Sequence, residues 1–127
     1  YQQAAGKKPV CLLFGGEPTV KVSGNGSGGR NQHLALYLST KIDHKKHITI
    51  LCAGTDGTDG LTDAAGAVVD NETIVTAVKK NIDPRLFLQN SDSYHFFQQA
   101  GGHIITGNTR TNVMDMVVVV MEALPLP

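Results

Sequence analysis

Short apolar runs alternate with segments of helical periodicity along this chain, and this alternation constrains its fold more than any other feature. Each apolar run has the length of a strand. The runs cover residues 10–14, 19–22, 47–53, 103–106 and 113–121. The helical segments begin at Arg30, Glu72, Asp83 and Tyr94. Strands that alternate with helices are typical of α/β proteins, in which helices pack on the faces of a sheet.

Two local patterns refine this expectation. The continuous apolar run at 10–14 is typical of a strand that is buried on both faces of its sheet. A stripe of apolar residues on the first helix is expected to face that sheet. The stripe consists of Leu34, Tyr37, Leu38 and Ile42. The sequence therefore predicts an α/β fold: a single domain with Rossmann-like layers, in which helices flank a mixed, mostly parallel sheet on both faces.

Length and composition fit one globular domain that needs no cofactor to fold. A chain of 127 residues with 41% hydrophobic residues can bury roughly two thirds of the surface that its unfolded form exposes. No internal repeat or low-complexity linker divides it. We predict an N-terminal lead-in at residues 1–9, one domain at 10–122 and a tail at 123–127.

Charge and hydropathy argue against two classes of partner. The 11 Lys and Arg residues are balanced by 11 Asp and Glu residues and are dispersed, so we expect no electropositive face for nucleic acid. The longest apolar run, Met116 to Val120, is far shorter than the roughly 20 residues of a membrane span. Cys11 and Cys52 are isolated from each other in runs typical of buried strands, which favours a reducing compartment such as the cytoplasm.

The first of three polar loops stands immediately before the first helix. It contains Gly24, Gly26, Gly28 and Gly29, followed by Arg30 and Asn31. These glycines fit the dinucleotide pattern GxGxxG and the P-loop frame only imperfectly, because the acidic residue of the first and the lysine of the second are missing. Both motifs place glycines before a helix N-terminus, and this arrangement still indicates an anion site. The first amides of the helix carry partial positive charge, and Arg30 adds hydrogen-bond donors. A plain strand-to-helix turn with a surface arginine is the alternative.

The second loop carries three aspartates, Asp56, Asp59 and Asp63. Their spacing fails the EF-hand pattern at three ligand positions. Two interpretations stay open: one or two carboxylates hold Mg²⁺ together with a nucleotide phosphate, or the aspartates cap turns and a following segment. The third loop, residues 107–112, is either a binding loop or a polar turn. No serine or cysteine occurs in a nucleophile-elbow pattern, which argues against covalent hydrolysis.

Four ordered motifs carry a resemblance to a known family. They are GGEPTV at 15–20, GNGSGGRNQ at 24–32, GTDGTDGLTDAAGA at 54–67 and TNVMD at 111–115. Together they resemble the MOFRL domain, the C-terminal domain of the glycerate 2-kinases, over nearly the whole chain. The resemblance implies that the domain packs beside a larger nucleotide-binding-like N-terminal domain, with the active site in the cleft between them.

The resemblance also implies a reaction and its cofactors. In the full-length enzyme, ATP with Mg²⁺ phosphorylates D-glycerate, and 2-phosphoglycerate is the expected product. The isolated chain is expected to be inactive, to hold no metal, and to bind neither nucleic acid nor membrane. The implied location is the cytoplasm, with the mitochondrion as the alternative.

The resemblance assigns roles to individual residues of the three loops. Arg30, within GGRNQ, is the expected catalytic cation that neutralises the transferring phosphate. The expected substrate- or nucleotide-binding residues are Gly24, Gly26, Gly28, Gly29, Asn31, Thr55, Asp56, Asp59, Thr111 and Asn112. One glycine loop and one arginine do not complete a phosphoryl-transfer site alone. The alternative function is a stand-alone, non-catalytic α/β binding or interaction module.

Overall fold

Five strands and four helices make up the computed structural model, which describes residues 8–42 and 47–123. The strands are β1 (Val10–Gly16), β2 (Ile48–Gly54), β3 (Gly66–Asp70), β4 (His103–Ile104) and β5 (Asp115–Met121). The helices are α1 (Arg30–Ser39), α2 (Thr73–Lys79), α3 (Pro84–Gln89) and α4 (Ser93–Ala100). The expected lead-in and tail fall mostly outside the described residues. In the described ranges, no helix is long and apolar enough to cross a membrane.

The sheet has the order β1-β5-β2-β3-β4, and every strand pair in the described ranges is antiparallel. The expected mostly parallel, Rossmann-like sheet is therefore wrong. The unit β1-α1-β2 does bring its two strands into parallel orientation, as alternation of strands and helices indicates. They are not neighbours, however, because β5 lies between them and pairs antiparallel with both. The connection from β2 to β3 contains no helix and simply reverses the chain.

The helices cover only one face of the sheet, so the expected cover on both faces is also wrong. One apolar core joins side chains of the helices to alternate residues of the strands. Its buried members are Ala35, Leu36, Ile50, Cys52, Ala67, Val69, Ala77, Ile82, Phe96 and Phe97. The register places Leu13, Val118, Leu51 and Val68 on the opposite face, where Leu13 is 71% exposed. The sheet thus has one packed face and one open, apolar face.

Two expectations about which residues are buried are wrong, one for β1 and one for α1. Strand β1 was expected to be buried on both faces, but it forms the edge of the sheet, and Cys11 and Phe14 are exposed. On α1, Tyr37 is exposed, and the fully buried face is shifted toward Gln32 and Leu36. The buried face is shifted because the polar side chains of the first turn, Asn31 and Gln32, are themselves buried. The expected strand at 19–22 is irregular chain.

Candidate active site

The three polar loops meet at one end of the sheet. We call residues 23–29 the glycine loop, 55–63 the aspartate loop and 107–112 the threonine loop. The glycine loop follows the segment after β1 and leads into α1, the aspartate loop follows β2, and the threonine loop precedes β5. Gly16 and Gly54, at the ends of β1 and β2, both pair with Asp115, at the start of β5. Sequence analysis treated these loops separately, and the antiparallel insertion of β5 brings them together.

Hydrogen bonds join the aspartate loop to the threonine loop and its continuation. The hydroxyl of Thr55 donates to the carbonyl of Met114 at 2.7 Å and accepts from the amide of Val113 at 2.9 Å. The amide of Thr109 donates to the carbonyl of Asp56 at 3.1 Å. A Cβ atom on Gly57 would lie 2.0 Å from the carbonyl oxygen of Gly107. The two loops therefore form one surface, and glycine allows their close approach.

The glycine loop packs against the connection between α3 and α4. The amide of Gly26 donates to the carbonyl of Asn90 at 2.9 Å, and the amide of Ser27 donates to Oδ1 of Asp92 at 2.8 Å. A Cβ atom on Gly26 would lie 2.4 Å from the Cβ atom of Asp92. The glycines at this point thus permit close packing of the two segments, and four of the loop's amides donate hydrogen bonds within the protein, those of residues 23, 25, 26 and 27.

The first turn of α1 is capped from the aspartate loop. Asp59 is only 3% exposed, and its carboxylate accepts from the amides of Asn31 at 3.0 Å and Gln32 at 2.8 Å. It also accepts from Nδ2 of Asn31 at 3.2 Å and Nε2 of Gln32 at 3.0 Å. A carboxylate at a helix N-terminus satisfies unpaired amides and complements the helix dipole. Asp59 therefore binds the first amides of α1, which the sequence had predicted to bind an external anion.

A signal for this remote cap is present in the sequence. Helix α1 begins after Gly29, which has no side chain with which to cap it. A helix without a local Ser, Thr, Asp or Asn cap needs an acceptor from elsewhere. The aspartate loop supplies one, 28 residues along the chain.

Arg30 is held by two carboxylates of different character. Its Nε donates to Oδ2 of Asp115, and its Nη2 donates to Oδ1 of the same residue at 3.1 Å. Its Nη1 lies 3.3 Å from Oε1 of Glu17. The side chain of Asp115 is 3% exposed, whereas that of Glu17 is 55% exposed. The hydrogen bond to Asp115 raises the pKa of Arg30, with smaller contributions from the charges of Asp115, Glu17 and Asp59, so the side chain stays cationic.

Asp115 lies in the site as the last residue of the motif TNVMD, but the sequence predicted no role for it. It is a single acidic residue that opens a β-branched strand, DMVVVVM. A buried carboxylate is costly unless it is paired with a cation, so an acid in such a strand points to a partner. The partner is Arg30, 85 residues away.

An open groove of about 480 Å³ lies beside Arg30. Its lining residues come from the segment after β1, the glycine loop and the aspartate loop. They are Glu17, Pro18, Thr19, Val20, Val22, Gly28, Gly29, Arg30 and Gly60. Among the described residues, Asp115 accepts hydrogen bonds from two of the five N–H donors of Arg30, and Glu17 forms an ion pair with Nη1. Arg30 lines the groove, so the N–H donors that Asp115 does not bind are the ones offered to a ligand there.

The remaining predicted site residues differ in their surroundings. Asp56 accepts from the amide of Thr58 at 3.0 Å and so closes a local turn. A Cβ atom on Gly54 would lie 3.2 Å from Oδ1 of Asp56 and 3.5 Å from Oδ1 of Asp115, so these two carboxylates are neighbours. Thr111 and Asn112 lie on the exposed threonine loop, where Oδ1 of Asn112 accepts from the amide of Met114. Gly24 packs against Asn90.

The site contains neither a metal cluster nor an activated thiol among the described residues. No group of three or more His, Cys, Asp or Glu residues in those ranges could hold a metal ion. Burial raises the pKa of the Cys52 thiol to about 12, and the charge of Asp59 adds to this effect. A thiol with so high a pKa is not a nucleophile near neutral pH. Beside the groove, the site presents a cationic group, Arg30.

Comparisons with known proteins show which proteins this chain is similar to. The chain is 48% identical over 112 residues to the D-glycerate 2-kinase of Thermotoga maritima, covering 88% of this chain and 27% of that protein. It is 47% identical over 126 residues to the glycerate kinase of Rattus norvegicus, covering 94% of this chain and 24% of that protein. The chain thus spans about a quarter of the length of these curated relatives.

A solved structure and a family model extend these findings. The crystal structure of the glycerate kinase from Thermotoga maritima matches with a TM-score of 0.90 and 45% identity, over 95% of this chain and 29% of that chain. The model of the MOFRL family matches residues 10–115. The chain therefore belongs to the MOFRL family.

Proposed function

We propose that this chain is the MOFRL domain of a glycerate kinase. The full-length enzyme transfers the γ-phosphoryl group of ATP to D-glycerate and forms 2-phosphoglycerate. Support comes from the names of the relatives that match nearly all of this chain. The part of such a polypeptide that this chain does not span supplies the N-terminal domain, which closes the cleft over the three loops. The domain described here supplies one wall and is inactive alone.

The position of Arg30 carries this proposal. Phosphoryl transfer asks a protein mainly to position the reactants and to neutralise the charge on the transferring group. Arg30 stays cationic, lies at the junction of the loops, and keeps 39% of its side chain exposed beside the groove. In the proposed reaction the N–H donors that Asp115 does not bind contact oxygens of the transferring phosphoryl group. A guanidinium suits this task because its donors form a planar fork.

The other proposed site residues act in two ways. Gly28 and Gly29 line the groove beside Arg30, where the absence of side chains lets substrate or nucleotide approach. Thr55, Asp56, Thr111 and Asn112 are proposed to contact the bound molecules from the joined aspartate and threonine loops. Gly24, Gly26, Asn31 and Asp59 are proposed to contribute indirectly, by holding the glycine loop and α1 in place.

Mg²⁺ does not fit this domain as a resident ion. Among the described carboxylates near the site, Asp59 accepts from amides, and Asp115 and Glu17 are paired with Arg30. Asp56 remains, and one carboxylate is enough only when phosphates and waters complete the coordination. We therefore propose that Mg²⁺ arrives with ATP, and we assign it no step on this domain.

The thiols bear on the proposed location in the cytoplasm. Cys11 is exposed on the edge strand and Cys52 is buried in the core, and both are free. An exposed free thiol persists in a reducing compartment. This supports the cytoplasm, with the mitochondrion as the alternative.

The test is Arg30→Lys in the full-length polypeptide, because lysine keeps the charge but lacks the fork. We expect kcat to fall by roughly three orders of magnitude or more, as for other arginines that act on a phosphoryl-transfer transition state. The affinity for ATP should fall much less, and the melting temperature should change little. The matched control is Arg85→Lys, which breaks a comparable fork with Asp83 far from the site. Near-native kcat in Arg30→Lys would contradict the catalytic role of Arg30, whereas a wild-type polypeptide without glycerate kinase activity would favour the stand-alone module.

A further inference from the structure

We propose that Asp115 is the positioning residue that aims Arg30 at the transferring phosphoryl group. This inference rests on the function proposed above and adds a residue to it. Its basis is the two-point contact in which one buried carboxylate binds both Nε and Nη2 of Arg30. Two hydrogen bonds between planar groups fix the orientation of the guanidinium as well as its position.

The location of Asp115 in the sheet makes it a rigid support. Asp115 opens β5, and its backbone lies between Gly16 of β1 and Gly54 of β2. It is therefore held by a central strand rather than by a loop. Both cross-strand neighbours are glycines, so neither adjacent strand places a side chain directly beside its carboxylate. The register puts Asp115 on the same face as Val117, which is the face that the helices cover and on which α1 begins.

The contact with Asp115 leaves the outer edge of the Arg30 guanidinium available to a ligand. Asp115 binds the side that carries Nε and one N–H of Nη2, so the outer edge formed by Nη1 and Nη2 points away from it. Glu17 lies near Nη1 at 3.3 Å, and it is more than half exposed. An incoming phosphate can displace an exposed carboxylate far more easily than a buried one. Arg30 can thus exchange Glu17 for a ligand while Asp115 keeps its orientation.

A second carboxylate supports the same arrangement without touching the guanidinium. Asp59 fixes the amides of Asn31 and Gln32, the two residues after Arg30. The backbone of Arg30 is therefore held by the cap, and its side chain is held by Asp115. Small displacements of a catalytic group can cost about 100-fold in rate, so both constraints bear on turnover.

The experiment is a double-mutant cycle in the full-length enzyme with Asp115→Asn, Arg30→Lys and the double variant. Asp115→Asn keeps the shape of the side chain but replaces one acceptor with a donor that faces Arg30. We expect it to lower kcat by about 100-fold with little change in the KM for ATP or D-glycerate. In the Arg30→Lys background the same replacement should lower kcat by less than about threefold, because its effect passes through the fork. The matched control, Asp83→Asn, removes the partner of Arg85 and should leave kcat unchanged.

The outcomes separate this inference from the proposed function. A wild-type polypeptide without glycerate kinase activity would refute the proposed function. An active wild type with near-native kcat in Asp115→Asn, or with an equal loss in both backgrounds, would refute only the role of Asp115. If Asp115→Asn fails to fold, wild-type protein decides: the Nε proton of Arg30 should exchange with water at least tenfold more slowly than that of Arg85. Equal exchange rates would overturn the inference, since they would show that Asp115 does not hold the guanidinium.

Discussion

Replacement of Asp59 by alanine should cost this small domain a large part of its stability. The carboxylate receives four hydrogen bonds from Asn31 and Gln32, two from backbone amides and two from side chains. Alanine removes every one of these acceptors at a position that is 3% exposed. The surroundings are protein on most sides, so water has little room to replace the lost oxygens.

The size of the loss follows from which donors lose their last partner. Removal of a helix cap costs about 1 to 2 kcal/mol. Nδ2 of Asn31 donates only to Asp59 among the described residues, and a buried donor without a partner costs about 1 to 3 kcal/mol. Nε2 of Gln32 retains Thr62 and therefore adds little. The free energy of unfolding should fall by about 3 kcal/mol, which raises the equilibrium constant for unfolding about 100-fold.

Urea denaturation followed by far-UV circular dichroism measures this change. With a slope of about 2 kcal/mol/M, a loss of about 3 kcal/mol moves the midpoint by about 1.5 M. Asp83→Ala is the matched control, because Asp83 caps α3 with a carboxylate on the surface. Its midpoint should move much less. Equal shifts for the two variants would refute the reasoning, since burial of Asp59 would then add nothing to the capping effect.

Three further predictions concern packing, pH and the isolated chain. Gly26→Ala should lower stability by more than about 1 kcal/mol, because its Cβ would meet Asp92 at 2.4 Å, whereas Gly15→Ala has open space and should be nearly neutral by thermal denaturation. Burial lowers the pKa of His33 and His103 below their ordinary value, so the folded state binds fewer protons than the unfolded state near and below that value. The free energy of unfolding should therefore be full above about pH 6.5 and should decline as the pH falls below it. His33→Gln should make this decline with pH less steep. The isolated chain should unfold cooperatively, with coincident near- and far-UV transitions, and should form no phosphoglycerate from ATP above a control without enzyme.

The identity of most elements could be predicted from sequence, but their arrangement could not. Helix α3 begins as expected, with Asp83 as its cap and Pro84 in its first turn, because both preferences are local. The direction of the strands depends on which strand fills the space between β1 and β2. That strand is β5, from the far end of the chain. Hydrophobic pattern alone does not distinguish a central strand from an apolar edge strand such as β1.

The residues of the candidate site also divide into those that sequence could predict and those that it could not. Arg30 could be singled out because glycines, a helix start and a cation follow one another directly in the sequence. The two carboxylates that hold this region, Asp59 and Asp115, act on residues 28 and 85 positions away. The sequence named Asp59 as a binding residue and gave Asp115 no role, and the burial and the partners of both follow from the folded chain. Local pattern thus identifies the group that we propose to face a ligand, whereas its contacts with Asp115 come from tertiary structure.

The central place of β5 has a consequence for how the domain is made. A ribosome completes β1 and β2 long before it reaches the strand that joins them, and Val10 pairs with Met121, at the opposite end of the described chain. Contacts so distant in sequence form late, and unpaired strand edges invite aggregation while they wait. A premature stop codon before residue 115 would remove the strand that lies between β1 and β2 and would leave β1 without a neighbour. Nascent chains of this domain therefore stay open to misassembly until synthesis has passed β5.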